Sequence, residues 1–182
     1  MKFTLAEKVN MTQLFDESGK VVPATILKSK GVTVTGLRTK ERDGYEAIQA
    51  KSNLSNVTRE FRTESGDLQV GAVIAADIFT VGDIVKLTGT TKGKGFQGVV
   101  KRHGFKGGWG QHGQKHSHRE PGSIGSTGQQ RVDRGKKMAG RMGSDRMTFK
   151  SVEILDVDTE NGFILVKGQV PGSRGSIVEL RG

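Results

Sequence analysis

The chain has 182 residues, 33% of them hydrophobic, with a net charge of +10 and a pI near 10.0. That length can bury a core without covalent staples, and the lack of cysteine excludes disulfides and thiolate metal sites. A basic balance dictates no fold, but it selects partners that carry phosphate, nucleic acid ahead of an anionic membrane.

The first twenty residues hold no apolar run fit for a signal peptide, and Glu7, Asp16 and Glu17 are unlike a transit peptide. No stretch has the apolar length of a membrane span, so the expectation is a cytoplasmic protein with no membrane partner. Short runs rich in Val, Ile, Thr and Phe follow one another at 2–9, 21–28, 32–38, 45–50, 57–63, 69–76 and 84–88. Glu17-Ser18-Gly19, Asp43-Gly44, Glu64-Ser65-Gly66-Asp67 and Val81-Gly82-Asp83 separate many of them as turns. After a long interruption come runs at 147–157, 163–170 and 176–180, with Asn161-Gly162 as a hairpin turn and Pro171-Gly172 as a further break. Many short strands with frequent turns predict a mainly β barrel or sandwich. A short helix near Ala139–Asp145 is the one helical expectation, kept short by its glycines. No internal repeat is visible.

The interruption holds the charge. Residues 86–150 contain 15 of the 29 Lys and Arg but only Glu120, Asp133 and Asp145 of the 19 acids, a net of +12. The rest of the chain, with 14 bases and 16 acids, is at −2. All 4 His and 15 of the 27 Gly lie in the same window. Within 107–137 the only large apolar side chains are Trp109, Ile124 and Val132, too few to offset the ordering entropy of a packed segment. The division predicted is a β body of residues 1–88 with 147–182, and an extended loop over 89–146. The two flanks must join to close the sheet, so the loop leaves and returns at nearby strand ends.

Gly93-Lys94-Gly95-Phe96-Gln97-Gly98 matches a dinucleotide fingerprint, but no long helix follows to offer its N-terminus to a pyrophosphate. A Walker motif fails because Gly95 stands where Ser or Thr would bind magnesium. His112, His116 and His118 leave an alternative, a β-barrel metal-binding enzyme, although Glu120 is the only close acid. Nothing resembles a nucleophile with its base. The favoured chemistry is RNA contact. Cations neutralise phosphates, glycines let the backbone approach closely, and Phe105, Trp109 and the histidines offer faces to unpaired bases. Arg131, Arg134, Lys136, Lys137, Arg141 and Arg146 make a second basic cluster beyond Pro121.

Thr88-Gly89-Thr90-Thr91-Lys92-Gly93-Lys94-Gly95-Phe96-Gln97-Gly98, followed by Lys101-Arg102-His103, resembles the bacterial form of the universal large-subunit ribosomal protein L-three. His118-Arg119-Glu120-Pro121-Gly122-Ser123-Ile124-Gly125 and Gly135-Lys136-Lys137-Met138-Ala139-Gly140-Arg141-Met142-Gly143 continue the likeness. Asp43-Gly44-Tyr45-Glu46-Ala47-Ile48-Gln49 and Val166-Lys167-Gly168-Gln169-Val170-Pro171-Gly172 carry it into the flanks. The resemblance implies a translation-protein-type β-barrel interrupted by a long, basic, Gly-rich extension. It implies a structural constituent of the large ribosomal subunit in the cytoplasm, with no enzymatic activity and no cofactor. The extension would thread into large-subunit ribosomal RNA toward the peptidyl transferase centre and support it, and the protein would help nucleate assembly beside neighbouring large-subunit proteins. The residues expected on RNA are Lys92, Lys94, Lys101, Arg102, His103, Lys106, Trp109, His112, Lys115, His116, His118, Arg119, Arg131, Arg134, Lys136, Lys137, Arg141 and Arg146. Some relatives carry a methylated glutamine near the tip, which makes Gln129 and Gln130 candidates and a glutamine methyltransferase an implied partner. The chain departs from the family in places. Asn10 stands where Gly usually precedes Met-Thr, with a left-handed turn expected to survive. Residues 50–80 are shorter and match weakly, Ser126–Arg134 is slightly short, and Asp133 replaces an apolar residue.

Overall fold

The computed structural model describes residues 2–63, 66 and 68–182. Before the insertion come β1 (Phe3–Phe15), β2 (Val21–Lys28), β3 (Val32–Arg38), the single-turn helix α1 (Lys40–Asp43), β4 (Ala47–Ser52), β5 (Thr58–Phe61), β6 (Val73–Ile74), a 3-10 turn (Ala76–Ile78) and β7 (Ile84–Thr90). The insertion carries β8 (Phe96–Gln97), α2 (Val99–His103), a 3-10 turn (Thr127–Gln129) and β9 (Gly140–Arg141). β10 (Arg146–Asp158), β11 (Phe163–Lys167) and β12 (Ile177–Arg181) complete the chain. The architecture is mainly β, as the short β-branched runs predict. The predicted turn Glu64-Ser65-Gly66-Asp67 lies outside the described residues apart from Gly66. Among the described residues no helix is long and apolar enough to cross a membrane.

The chain divides into two compact units, Met1–Thr91 with Arg146–Gly182, and Lys92–Asp145. In the first, six antiparallel strands pair in the order β1-β12-β7-β10-β11-β2, and β2 pairs back on β1 to close the ring. Closure leaves no open edge for another chain to pair with. Leu27, Val85, Leu87, Ile154, Ile164, Val166, Val178 and Leu180 belong to one buried cluster. A second sheet, ordered β5-β4-β3-β6, contributes to a separate cluster of Phe3, Leu5, Val32, Val34, Ile48, Ala50 and Phe61. The two clusters share β1. Side chains alternate across a strand, so Phe3 and Leu5 join the second cluster while Ala6 joins the first. Both faces being covered explains the unbroken buried run Phe3-Thr4-Leu5-Ala6. Phe3 stacks on Phe61 with ring centroids 4.4 Å apart.

Three local readings change. β1 does not stop near residue 9. A bulge between Lys8 and Asn10 bends it, and it runs on to Phe15, paired with Val21. Asn10 is therefore a strand residue opposite Ile26 rather than a left-handed turn, and its side chain accepts a bond from Arg174 at 2.8 Å. The run at 69–76 narrows to the two-residue strand Val73–Ile74, preceded by Gly71 and Ala72, whose backbone exchanges hydrogen bonds with Val34 of β3 at 2.8 and 2.9 Å. The expected hairpin at Asn161-Gly162 forms between β10 and β11, and Asp158 accepts the N–H groups of Glu160 and Asn161, both at 3.1 Å.

Asp83 sits in the turn before β7. The Lys2 ammonium, 2.6 Å away, and the Thr80 N–H hold its carboxyl below the usual carboxylate range. A depressed carboxyl stabilises the fold above its unfolded pKa of about 4, and that contribution is lost as pH falls through the lower, folded value. The melting temperature of Asp83→Asn is expected to lie below that of the parent at pH 6. The gap should close as the pH is lowered toward 3. A gap independent of pH would show that the carboxylate charge is not what matters there.

Candidate nucleic-acid interface

The last rung between β7 and β10 pairs Thr90 with Arg146, and there the chain leaves the ring and re-enters it. The second unit, Lys92–Asp145, opens as a two-stranded ribbon. Phe96 pairs with Arg141 and Gln97 with Gly140. Lys94 N–H donates to the Met142 carbonyl at 2.9 Å, and Met142 N–H returns a bond to Gly95 at 3.0 Å. The helix expected near Ala139–Asp145 is thus replaced by β9, since cross-strand bonds satisfy a glycine-rich backbone that has little helix propensity. The unit's helix is α2, only five residues long, in keeping with the expectation that no long helix follows Gly98. It starts after Gly98 and ends at Gly104, whose left-handed backbone lets its N–H reach the Val100 carbonyl.

Arg102 and His103, at the end of α2, are half-buried and both donate to the Met138 carbonyl, at 2.7 and 3.0 Å. These two side chains fasten the returning strand. Farther out, Gly108 N–H donates to the His118 carbonyl, and His118 Nδ1 donates to the Trp109 carbonyl at 3.1 Å. Trp109 is 69% exposed, and the Lys106 ammonium lies 5.6 Å from its ring centroid. Lys92, Lys94, Lys101, Lys106, His112, Lys115, His116, His118, Arg119, Arg131, Arg134, Lys136, Lys137, Arg141 and Arg146 are all exposed. Gln129 lies in the 3-10 turn and donates to Asp133 at 3.1 Å, while exposed Gln130 takes a left-handed backbone with φ 49°. Among the described residues no group of three or more His, Asp or Glu is gathered so as to hold a metal ion, so the three histidines do not form a ligand set.

The charge and the packing of this unit run in opposite directions. It holds twelve Lys and Arg against three acids, a net of +9. Val99 is its one buried hydrophobic side chain among the described residues, and both apolar clusters belong to the first unit. Such a surface suits a polyanion whose phosphates replace the missing counter-charge.

Gly143 shows how closely the ribbon is built. Its φ is +78°, and a Cβ there would strike the backbone carbonyl of Lys92. Gly143→Ala is expected to strain the ribbon by roughly 1–3 kcal/mol. Amide exchange at Lys94 and Met142 should accelerate while strand amides of the ring keep their protection. Unchanged exchange at those two amides would show that the ribbon tolerates a side chain.

A polar cluster on the body gave no signal in the sequence beyond Arg146. Glu179 on β12 is buried, and three guanidiniums approach it. Arg146 stands at 2.7 Å, Arg181 at 3.4 Å and Arg59 at 3.5 Å. These residues come from three strands distant in the chain, so no local spacing announces them.

The model of the family described as ribosomal protein L3 matches residues 16–162. That span runs from the β1–β2 turn to the β10–β11 turn and includes the whole basic unit. Members of that family are RNA-binding structural proteins of the large ribosomal subunit, in the cytoplasm. With a mainly β body and its basic insertion matched together, the chain belongs to the ribosomal protein L3 family.

Proposed function

We propose that Lys92–Asp145 threads into folded large-subunit ribosomal RNA while the β body anchors it at the subunit surface. The observation that carries this reading is the pairing of a +9 charge with a single buried apolar side chain in one unit. A segment without a core orders itself on a partner, and RNA phosphates are the partner that its cations match. Lys92, Lys94, Lys101 and Lys106 approach phosphates along the first half of the extension, and Arg119, Arg131, Arg134, Lys136, Lys137 and Arg141 along the second. Trp109 and the histidines stack on or donate to unpaired nucleotides. Arg102 and His103 position the extension through Met138. In this role the protein does no chemistry. It holds RNA strands at fixed distances, helps nucleate subunit assembly beside neighbouring proteins and supports the geometry of the peptidyl transferase centre.

Limited trypsin digestion tests this reading. Free protein is expected to be cut first at Lys115, Arg119, Arg131, Arg134, Lys136 and Lys137, whereas large-subunit ribosomal RNA should protect these sites at moderate salt. Cleavage at equal rates with and without RNA would overturn it.

A further inference from the structure

The Glu179 cluster lines a cavity of about 360 Å³ on the body. Arg59, Arg146, Glu60, Glu179, Ile177 and the stretch Thr88-Gly89-Thr90 form its walls. One carboxylate faces three guanidiniums here, so the charge at Glu179 is overcompensated. Glu60, the second carboxylate on the wall, is matched by its own guanidinium, Arg38 at 3.3 Å, and also accepts from Gln49 at 2.8 Å and Tyr45 at 3.1 Å.

The guanidiniums differ in placement. Arg181 lies against the body, its charged group 4.8 Å from the Phe61 ring centroid. Arg59 and Arg146 keep 53% and 65% of their side chains exposed. Arg146 meets Glu179 through one terminal nitrogen. Arg59 meets it through Nε and donates from one terminal nitrogen to the Thr58 carbonyl. Each head therefore has N–H donors directed elsewhere, while the buried carboxylate fixes its orientation. A guanidinium held in this way is preorganised for a tetrahedral oxyanion, since its planar fork matches two oxygens at once. Thr88, Gly89 and Thr90 line the same cavity, with the Thr88 hydroxyl bonded to that of Thr148 at 2.9 Å.

We propose that Arg59 and Arg146, oriented by Glu179, form a phosphodiester-binding site on the β body, separate from the contacts of Lys92–Asp145. RNA is the source of that phosphate rather than a carboxylate of a protein partner. Thr90 and Arg146 are the strand ends where the basic insertion begins and finishes, so RNA engaged by the insertion is tethered near this cavity. The proposal rests on the reading of the insertion as an RNA-binding segment. It adds a contact from β5, a strand outside that segment.

The test uses the full chain and transcribed large-subunit ribosomal RNA, with affinity measured across a salt series. Arg59→Ala is expected to reduce the slope of log affinity against log salt by about 0.7–0.9, the signature of one lost phosphate. Arg59→Lys should restore the slope by keeping the charge, yet leave affinity several-fold weaker because the fork is gone. A Lys136→Ala, Lys137→Ala double variant serves as the comparison. If it flattens the slope while Arg59→Ala and Arg146→Ala do not, the body site is wrong and the insertion reading stands. If none of them changes the slope, both fall.

Discussion

Replacing Arg131, Arg134, Lys136 and Lys137 together with alanine is expected to reduce the salt slope of RNA binding by about 3, at 0.7–0.9 per phosphate contact. All four side chains are exposed. They fall in a stretch where Asp133 is the one acid, and the Asp133 side chain accepts from Gln129 while its carbonyl accepts the Lys136 N–H. The cations are therefore presented outward and are not consumed by a local acid cluster. Affinity near physiological salt should fall by several orders of magnitude, because counterion release compounds over the contacts. The melting temperature should not move, since both apolar clusters lie in the other unit. An unchanged slope would remove these four residues from the RNA contact.

The second large effect concerns stability alone. Leu87 on β7 is fully buried in the ring's cluster, opposite Leu180 of β12 and Phe149 of β10. Leu87→Ala deletes part of a close-packed interior and leaves a cavity, at a cost of about 2–5 kcal/mol. A domain stable by about 5–15 kcal/mol loses a large share of its margin in that change. Ile84, three residues earlier on the same strand, is 67% exposed, and Ile84→Ala should cost less than about 0.5 kcal/mol. Denaturant unfolding separates the two. Equal midpoints would contradict the placement of the ring's interior. Below the unfolding midpoint, Leu87→Ala should retain the parent's salt slope on RNA, since it removes no cation.

Much of the body was legible because its strands carry their own signal. Val21–Lys28 and Val32–Arg38 are β-branched runs bounded by turns, and both are strands over the predicted residues. Other features were hidden by tertiary pairing. β6 is only two residues long, and its place beside β3 is set by cross-strand bonds rather than by its own sequence. The extension of β1 past its bulge depends on β2, which the sequence of β1 alone does not encode. α2 begins with Val99-Val100, residues that favour strands, and it persists because Gly104 caps it and Met138 receives Arg102 and His103. The basic insertion was readable from charge and the scarcity of core formers. The Arg59, Arg146 and Glu179 cluster was not, because packing of the second sheet beside the ring brings β5 to β10 and β12, whose sequence separation leaves no periodic trace.

Sedimentation of the tagged protein from cell lysate through a sucrose gradient, followed by a high-salt wash, is the most direct test of the account. Co-migration with the large subunit that survives the wash is the expected result, because an extension embedded in RNA cannot be released by screening exposed charges alone. Migration as a small free protein, or release from the subunit at the wash, would contradict it.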